Sequence, residues 1–152
     1  MKKPTIFIGA DHAGFDMKAS VKEHLEVRGY TVEDVGAHTF DPADDYPQYA
    51  LAVAEAVNEH AGSLGILSCG NAEGICITAN KVDGIRAGIG FSRAAAQTMR
   101  EDDDANVLCI PGRIETVDDP LEVVETFLST PFSHEDRHER RLTQLRDIEE
   151  QN

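Results

Sequence analysis

The chain has 152 residues with a formal net charge of −14, and 41% of its residues are hydrophobic. This length fits one domain, residues 1–152, built around a single core. The negative charge argues against a nucleic-acid-binding protein, because a phosphate backbone attracts a basic surface. No apolar run approaches the roughly 20 residues that cross a bilayer, and the opening MKKPTIFIGAD is typical of a first strand, not of a signal peptide. We therefore expect a cytoplasmic protein whose partners include neither nucleic acid nor membrane.

Strand and helix patterns alternate in the first half of the chain. The segment TIFIGA (5–10) predicts a buried strand, and apolar residues at helical spacing from Phe15 predict a first helix that stops at Gly29. YTVEDVG (30–36) predicts a second strand. The loop AHTFDPADDYP, rich in acids and proline, separates this strand from a helix over 48–60.

The same alternation continues in the second half. LGILS (64–68), IRAGIG (85–90) and NVLCI (106–110) predict strands, and helices are predicted over 75–81, 92–101, 118–129 and 134–150. The pattern predicts an α/β three-layer sandwich, with a five-stranded parallel sheet, helices on both faces and a C-terminal helix. Ligands of such sheets bind beyond the carboxyl ends of the strands. Three loops are therefore candidates for the site: ADHAG, SCGNAEG and PGR.

Cys69 stands at the end of the predicted third strand, directly before a glycine-containing turn and a helix. Unpaired N–H groups at a helix N-terminus favour an anion, so we expect a lowered thiol pKa and a thiolate that accepts protons. Gly70 and Gly74 are expected to let the backbone present N–H donors to a developing oxyanion. Cys76 and Cys109 are predicted to be small buried hydrophobes. Three cysteines without C-x-x-C spacing predict reduced thiols.

The first loop, GADHAG, has the G-x-x-x-x-G spacing of a nucleotide-binding P-loop but lacks its Lys-Ser/Thr, and G-x-G-x-x-G is absent from the chain. Asp11 and His12 follow the first strand and are candidates for polar residues of the site. Asp11 has a second interpretation, as the cap of the following helix. The sequence leaves both interpretations open.

The segment HEDRHERR (134–141) permits three interpretations. His134, Glu135 and His138 match the zinc-protease motif H-E-x-x-H, although no third ligand has an evident place. Arg137 and Arg141 are four residues apart, hence on one helical face beside His138, and guanidinium groups suit a phosphate. The third interpretation pairs the arginines with the neighbouring acids.

Five motifs occur in order over nearly the whole chain: GADHAGF with a following lysine, DDYP, GIL-CG…GI-I-ANKV-GIRA, ANVL…GR and F-----RH-RR. In these motifs the chain resembles the ribose-5-phosphate isomerase type B / galactose-6-phosphate isomerase family. The resemblance implies a flavodoxin-like subunit in a homodimer or homotetramer with active sites between subunits. It also implies aldose–ketose isomerisation of a phosphosugar without metal or cofactor, and the expected reaction is ribose 5-phosphate to ribulose 5-phosphate.

The resemblance further implies roles for individual residues. Cys69 is expected to be the base that removes the C2 proton and forms a cis-enediolate, because Ile75 occupies the position of the glutamate used by another branch of the family. The positions that match substrate contacts are Asp11, His12, Tyr46, Gly70 and Gly74, and those that match phosphate contacts are Arg113, Arg137 and Arg141, with His138 beside them.

The turn after Cys69 departs from the family pattern G-T/S-G-x-G, because it consists of GNAEG. Asn71 is expected to donate a hydrogen bond to the enediolate in place of the hydroxyl residue. Ala72 replaces a glycine, which is unfavourable where φ is positive. Glu73 either stabilises the first turn of the helix, raises the pKa of the cysteine, or acts as the base itself.

Asp102 and Asp103 stand where members acting on cyclic phosphosugars carry His-Asn. Asp102 is predicted to be a catalytic base toward the anomeric hydroxyl, with Asp103 at the substrate, although EDDD (101–104) can also be a solvated helix end. Two alternatives therefore stay open. One is an isomerase of an open-chain tetrose phosphate or of a hexose 6-phosphate, and the other is a phosphosugar-binding subunit with weakened catalysis.

Overall fold

Parallel strands alternate with helices through residues 2–152, the part of the chain that this computed structural model describes. The strands are β1 (Ile6–Ala10), β2 (Val32–Asp34), β3 (Leu64–Cys69), β4 (Ala87–Ile89) and β5 (Val107–Pro111). The helices are α1 (Phe15–Val27), α2 (Pro47–Glu59), α3 (Glu73–Ala79), α4 (Arg93–Asp103), α5 (Pro120–Ser129) and α6 (Asp136–Gln151).

The sheet has the order β2-β1-β3-β5-β4, and every neighbouring pair is parallel. Compared with the flavodoxin order 2-1-3-4-5, the last two strands have exchanged places, so that β5 lies inside the sheet and β4 at its edge. The predicted three-layer α/β architecture with a five-stranded parallel sheet is confirmed.

The core consists of one hydrophobic cluster on each face of the sheet, because successive strand residues point to opposite faces. In β1, Phe7 packs in the cluster under α2 and α3, whereas Ile6 and Ile8 pack in the cluster under α1, α4 and α5. The same alternation separates Leu67 from Ile66 in β3 and Cys109 from Leu108 in β5. Both faces of the sheet are therefore covered by helices, as the apolar strands predict.

The start of α6 differs from the prediction. His134 lies outside the helix in the left-handed region, at φ 57°, and Glu135 precedes the first helical residue. The imidazole Nδ1 of His134 lies 3.0 Å from Glu139 Oε1. The predicted helix boundary at residue 134 is thus two residues early, because the backbone turns at His134 before the helix begins.

Within residues 2–152, none of the helices combines the length and the apolar character needed to span a bilayer.

Candidate active site

The three loops that were predicted to carry the site meet at the carboxyl edge of the sheet. The loop after β1 packs on the end of β3 so closely that a side chain on Gly14 would overlap the carbonyl group of Ser68. The loop after β5 joins the same group, because the Arg113 N–H donates a hydrogen bond to the Gly70 carbonyl at 2.9 Å. The aliphatic part of the Arg113 side chain also borders Gly70. Residues from β1, β3 and β5 therefore surround one point on the sheet edge.

Cys69 is the last residue of β3 and is 3% exposed. Burial raises the pKa of its thiol, the N–H groups of Ile75, Ala72 and Asn71 lower it, and the carboxylate of Asp11 raises it. The net pKa is above that of an ordinary thiol. The expected lowering was therefore wrong, because the loss of solvent around a thiolate outweighs the three N–H donors.

The turn after Cys69 places Asn71 and Glu73 at the surface and Gly74 against Tyr46. Asn71 is exposed, and its Oδ1 accepts a hydrogen bond from the Glu73 N–H at 3.0 Å, which leaves the side-chain N–H groups to donate. Glu73 opens α3 and is exposed, and Asp11 rather than Glu73 is the carboxylate that raises the pKa of Cys69. Gly74 faces Tyr46, and a Cβ on Gly74 would lie 2.5 Å from Cζ of the Tyr46 ring. Tyr46 therefore closes over the turn only because residue 74 is glycine.

Ala72 has the positive φ that was expected to be unfavourable there, with φ 67° and ψ −10°. This conformation costs an L-residue about 1–2 kcal/mol. We expect Ala72→Gly to raise the free energy of unfolding by about 1 kcal/mol, measured by urea denaturation at one fixed protein concentration. Ala79→Gly is the matched control, since Ala79 is equally buried but lies at the end of α3 and glycine should lower stability there by about 1 kcal/mol. An equal decrease in the free energy of unfolding of both variants would contradict backbone strain at Ala72.

Asp11 and His12 both lie beside this turn. The Asp11 carboxylate accepts hydrogen bonds from the N–H groups of Ala13 and Gly14, at 2.9 and 3.1 Å, and so caps the short 3-10 turn His12–Gly14 that leads into α1. The α-helix itself begins after Gly14 without a side-chain cap. The His12 side chain is 23% exposed, and its Nδ1 lies 2.8 Å from Oδ1 of Asp44. Asp11, His12 and Asp44 bring potential metal ligands within 4.8 Å of one another. The His12–Asp44 hydrogen bonds account for the proximity of two of these residues, and Asp11 accepts from the Ala13 and Gly14 N–H groups.

A second group of predicted site residues lies at the end of α4 and the start of α6. His138 is buried, with Nδ1 2.6 Å from Ser133 Oγ and Nε2 3.5 Å from Oδ1 of Asp102. Asp103 and Arg141 are exposed. His138 therefore lies beside Asp102 in the fold, although the two residues are 36 positions apart in the sequence.

The two predicted phosphate-binding arginines of the segment HEDRHERR (134–141) differ in their ion pairing within the described residues 2–152. Arg137 forms an ion pair with Glu135 at 2.8 Å, whereas Arg141 has no ion pair within residues 2–152. Both arginine side chains are exposed. His134 lies outside the helix and contacts Glu139, so His134 and His138 do not form the paired ligands of an H-E-x-x-H helix.

The two groups lie at opposite edges of the sheet. Cys69 is paired with Pro111 at the carboxyl end of β5, while the Asp103 carbonyl accepts a hydrogen bond from Arg86, directly before β4 begins. The Gly84 N–H, near the same amino edge, donates to Glu149 of α6 at 3.0 Å. Five residues of β5 span about 16 Å. One chain therefore does not bring Asp102, His138 and the α6 arginines to Cys69.

Comparison with known proteins identifies the family. The family model described as Ribose/Galactose Isomerase matches residues 6–145. A probable ribose-5-phosphate isomerase B of Mycoplasma genitalium is 40% identical over 141 residues, covering 92% of each chain. Ribose-5-phosphate isomerase B of Mycobacterium tuberculosis is 40% identical over 144 residues, covering 95% of this chain and 89% of that one.

Solved structures agree with the sequence relatives. The crystal structure of ribose-5-phosphate isomerase B from Mycoplasma genitalium with bound ribulose-5-phosphate has a TM-score of 0.93 at 37% identity, with 100% of both chains covered. The Clostridium thermocellum ribose-5-phosphate isomerase B has a TM-score of 0.91 at 39% identity, covering 97% of this chain and 98% of that one. The resemblance seen in the five sequence motifs is confirmed, and this chain belongs to the ribose/galactose isomerase family.

Proposed function

We propose that this protein is an aldose–ketose isomerase that interconverts ribose 5-phosphate and ribulose 5-phosphate. The observation that carries the proposal is the buried Cys69 thiol, which faces three backbone N–H groups at the point where the loops after β1, β3 and β5 meet. The relatives support the substrate, since the Mycobacterium tuberculosis protein and both solved structures are named ribose-5-phosphate isomerase B, and one of these structures holds ribulose-5-phosphate. The cytoplasmic location stays a prediction, and the three free cysteines accord with it.

The site supports an enediolate mechanism in which Cys69 is the base. The thiolate takes the proton from C2, the C2–H electron pair forms the C1–C2 double bond, and the carbonyl electrons move to O1. Backbone N–H groups of the turn and the Asn71 amide donate hydrogen bonds to the oxyanion. The proton of O2 then passes to O1, the C2 carbonyl forms, and the thiol returns its proton to C1. The net change is a 1,2-shift of hydrogen without any external oxidant or cofactor.

The active site is proposed to form between two copies of the chain, in a homodimer or a homotetramer built from such dimers. The support is the separation of the two residue groups by the length of β5. In a two-fold dimer, the amino edge of one subunit meets the carboxyl edge of the other twice. Asp102, Asp103 and the arginines of one subunit would then reach the Cys69 site of its neighbour, where Arg137 and Arg141 join Arg113 around the phosphate.

Ring opening is assigned to Asp102. Ribose 5-phosphate is mainly a closed ring in water, so the anomeric hydroxyl must lose a proton and the ring oxygen must gain one. The Asp102 carboxylate is about half exposed, and the His138 imidazole lies 3.5 Å behind it. A carboxylate in this position can accept the hydroxyl proton and deliver it to the ring oxygen.

A substrate panel tests the proposed function. The purified homo-oligomer should form ketose from ribose 5-phosphate, with the same rate in the presence of a chelator. Failure to turn over any aldose phosphate, combined with ligand-dependent thermal stabilisation, would instead identify a phosphosugar-binding subunit.

The replacement of histidine by Asp102 motivates a second candidate, an isomerase of an open-chain tetrose phosphate. Erythrose 4-phosphate cannot close a five-membered ring, because its O4 carries the phosphate, and it therefore needs no ring-opening group. A hexose 6-phosphate in the same panel covers the larger substrates. Faster turnover of erythrose 4-phosphate than of ribose 5-phosphate, with Asp102→His accelerating only the cyclic substrates, would support this candidate.

The raised pKa of Cys69 predicts a pH dependence. An ordinary thiol titrates near pH 8.5, and burial moves the pKa of Cys69 above its usual value. The thiolate fraction of the free enzyme therefore still grows above neutrality, so kcat/KM should rise from about pH 7 to about pH 9. Residual activity of Cys69→Ala serves as the control and should not show this rise. A flat profile in the unaltered enzyme would contradict a thiolate base of raised pKa.

A further inference from the structure

Asp44 belongs to the long loop between β2 and α2 and reaches back to the loop after β1. Its Oδ1 accepts two hydrogen bonds from His12, from the backbone N–H at 3.0 Å and from the ring Nδ1 at 2.8 Å. Its Oδ2 accepts a hydrogen bond from the Tyr49 hydroxyl at 3.1 Å. The Asp44 side chain is 3% exposed, so both of its oxygens are committed to protein donors.

These contacts determine which nitrogen of His12 carries a proton. Burial raises the pKa of Asp44, but hydrogen bonds from the His12 backbone, the His12 ring and Tyr49 outweigh it, and the net pKa is lowered. Asp44 is therefore ionised near neutrality and can only accept hydrogen bonds. Because the contact between Asp44 and Nδ1 needs a donor and the carboxylate cannot supply one, Nδ1 must carry a proton. Nε2 has no hydrogen-bond partner within residues 2–152, and the His12 side chain is 23% exposed.

The surrounding loop holds this arrangement in place. Lys18 is buried and donates hydrogen bonds to Asp34, at 2.9 Å, and to the Ala37 carbonyl, which anchors the start of the loop. Phe40 packs edge-on against His12, with ring centroids 6.5 Å apart. On the other side, Ala13, the neighbour of His12, borders Gly70 in the turn after Cys69. The β2–α2 loop therefore fixes the position of His12, which lies next to the turn after Cys69.

We propose that Asp44, oriented by Tyr49, is the positioning residue of His12, and that it fixes the ring so that Nε2 is presented to the substrate. This inference rests on the proposed function, because it takes His12 to be a substrate contact. Asp44 does not itself touch the substrate. A carboxylate that fixes the orientation and the tautomer of a functional imidazole contributes to activity through that imidazole alone.

A double-mutant cycle tests the proposal with Asp44→Asn and His12→Asn. We expect Asp44→Asn to lower kcat/KM by about tenfold and to have no further effect in the His12→Asn background. Asp45→Asn is the matched control, because Asp45 is the exposed neighbour with the same charge, and it should change kcat/KM less than threefold, as expected for a surface substitution. An equal loss from Asp44→Asn in both backgrounds would show that Asp44 only fastens the loop, and would overturn the proposal.

Two further measurements keep the test decisive. Tyr49→Phe removes one hydrogen bond to Asp44 and should give a smaller loss that also disappears in the His12→Asn background. Nitrogen-15 NMR of labelled histidine, with the His12 signal assigned from His12→Asn, should show a protonated Nδ1 that loses this preference in Asp44→Asn. An unprotonated Nδ1 in the unaltered protein would refute the proposal even if turnover is normal. Since this signal does not depend on catalysis, an inactive enzyme with the expected signal would count against the proposed function alone.

Discussion

Cys69→Ala is expected to lower kcat by about two to four orders of magnitude, the range that a positioned general base contributes. Cys69 is buried at the carboxyl end of β3, and the N–H groups of the following turn face its sulfur. Alanine keeps the size of the buried side chain nearly unchanged but removes the atom that accepts the C2 proton. The loss should appear in kcat, because proton removal is the step that the thiolate performs.

Two companion variants make this result specific. Cys76→Ala removes a buried thiol that contacts the Ala87 carbonyl at 3.5 Å, and it should leave kcat nearly unchanged. Glu73→Gln removes an exposed carboxylate in the first turn of α3, and a small effect is expected. Loss of turnover in Glu73→Gln together with retained turnover in Cys69→Ala would move the base from Cys69 to Glu73.

The sequence predicted the fold well because each layer has its own local pattern. The apolar runs of β1, β3 and β5 are buried on both sides and could be recognised without tertiary information. The short edge strands β2 and β4 have three residues each, fewer than predicted, since an edge strand lacks a second neighbour to extend its pairing. The strand order, with β5 inside β4, is a long-range property that periodicity does not encode.

The sequence could predict those site residues that lie at the carboxyl ends of strands. Cys69 ends a buried strand, and Asp11 and Arg113 each come just after one, so their convergence could be expected from topology. The net pKa of Cys69 could not, because it depends on how far burial outweighs the N–H donors. Asp44 was also missed, since DDYP contains two adjacent acids and only the folded loop shows which one faces His12.

Activity shared between subunits is the second large effect that we expect. Two variants are needed, one chain with Cys69→Ala and one chain with Arg137→Ala and Arg141→Ala together. The arginine variant should lose a factor on the order of 10² or more in kcat/KM, since each charged hydrogen bond to the phosphate contributes about 1.5–3 kcal/mol. Each homo-oligomer alone should therefore be nearly inactive.

Hybrids of the two chains should regain activity. If a site takes its cysteine from one subunit and its arginines from the other, a hybrid dimer contains one site with both defects and one intact site. A hybrid purified through two different tags should then have about half the kcat of the unaltered dimer. The control hybrid pairs an unaltered chain with a chain that carries all three substitutions, and each of its sites then contains a defect.

The opposite result has an equally clear meaning. If Cys69 and the α6 arginines served the same site within one chain, every site of the first hybrid would carry a defect and no activity would return. The control hybrid would instead keep one intact site and about half of the activity. Sites shared between subunits therefore make the first hybrid active and the control hybrid inactive, and sites within one chain give the reverse. Because Cys69 lies at the carboxyl end of β5 and α6 contacts the amino edge through Gly84, we expect recovery in the first hybrid.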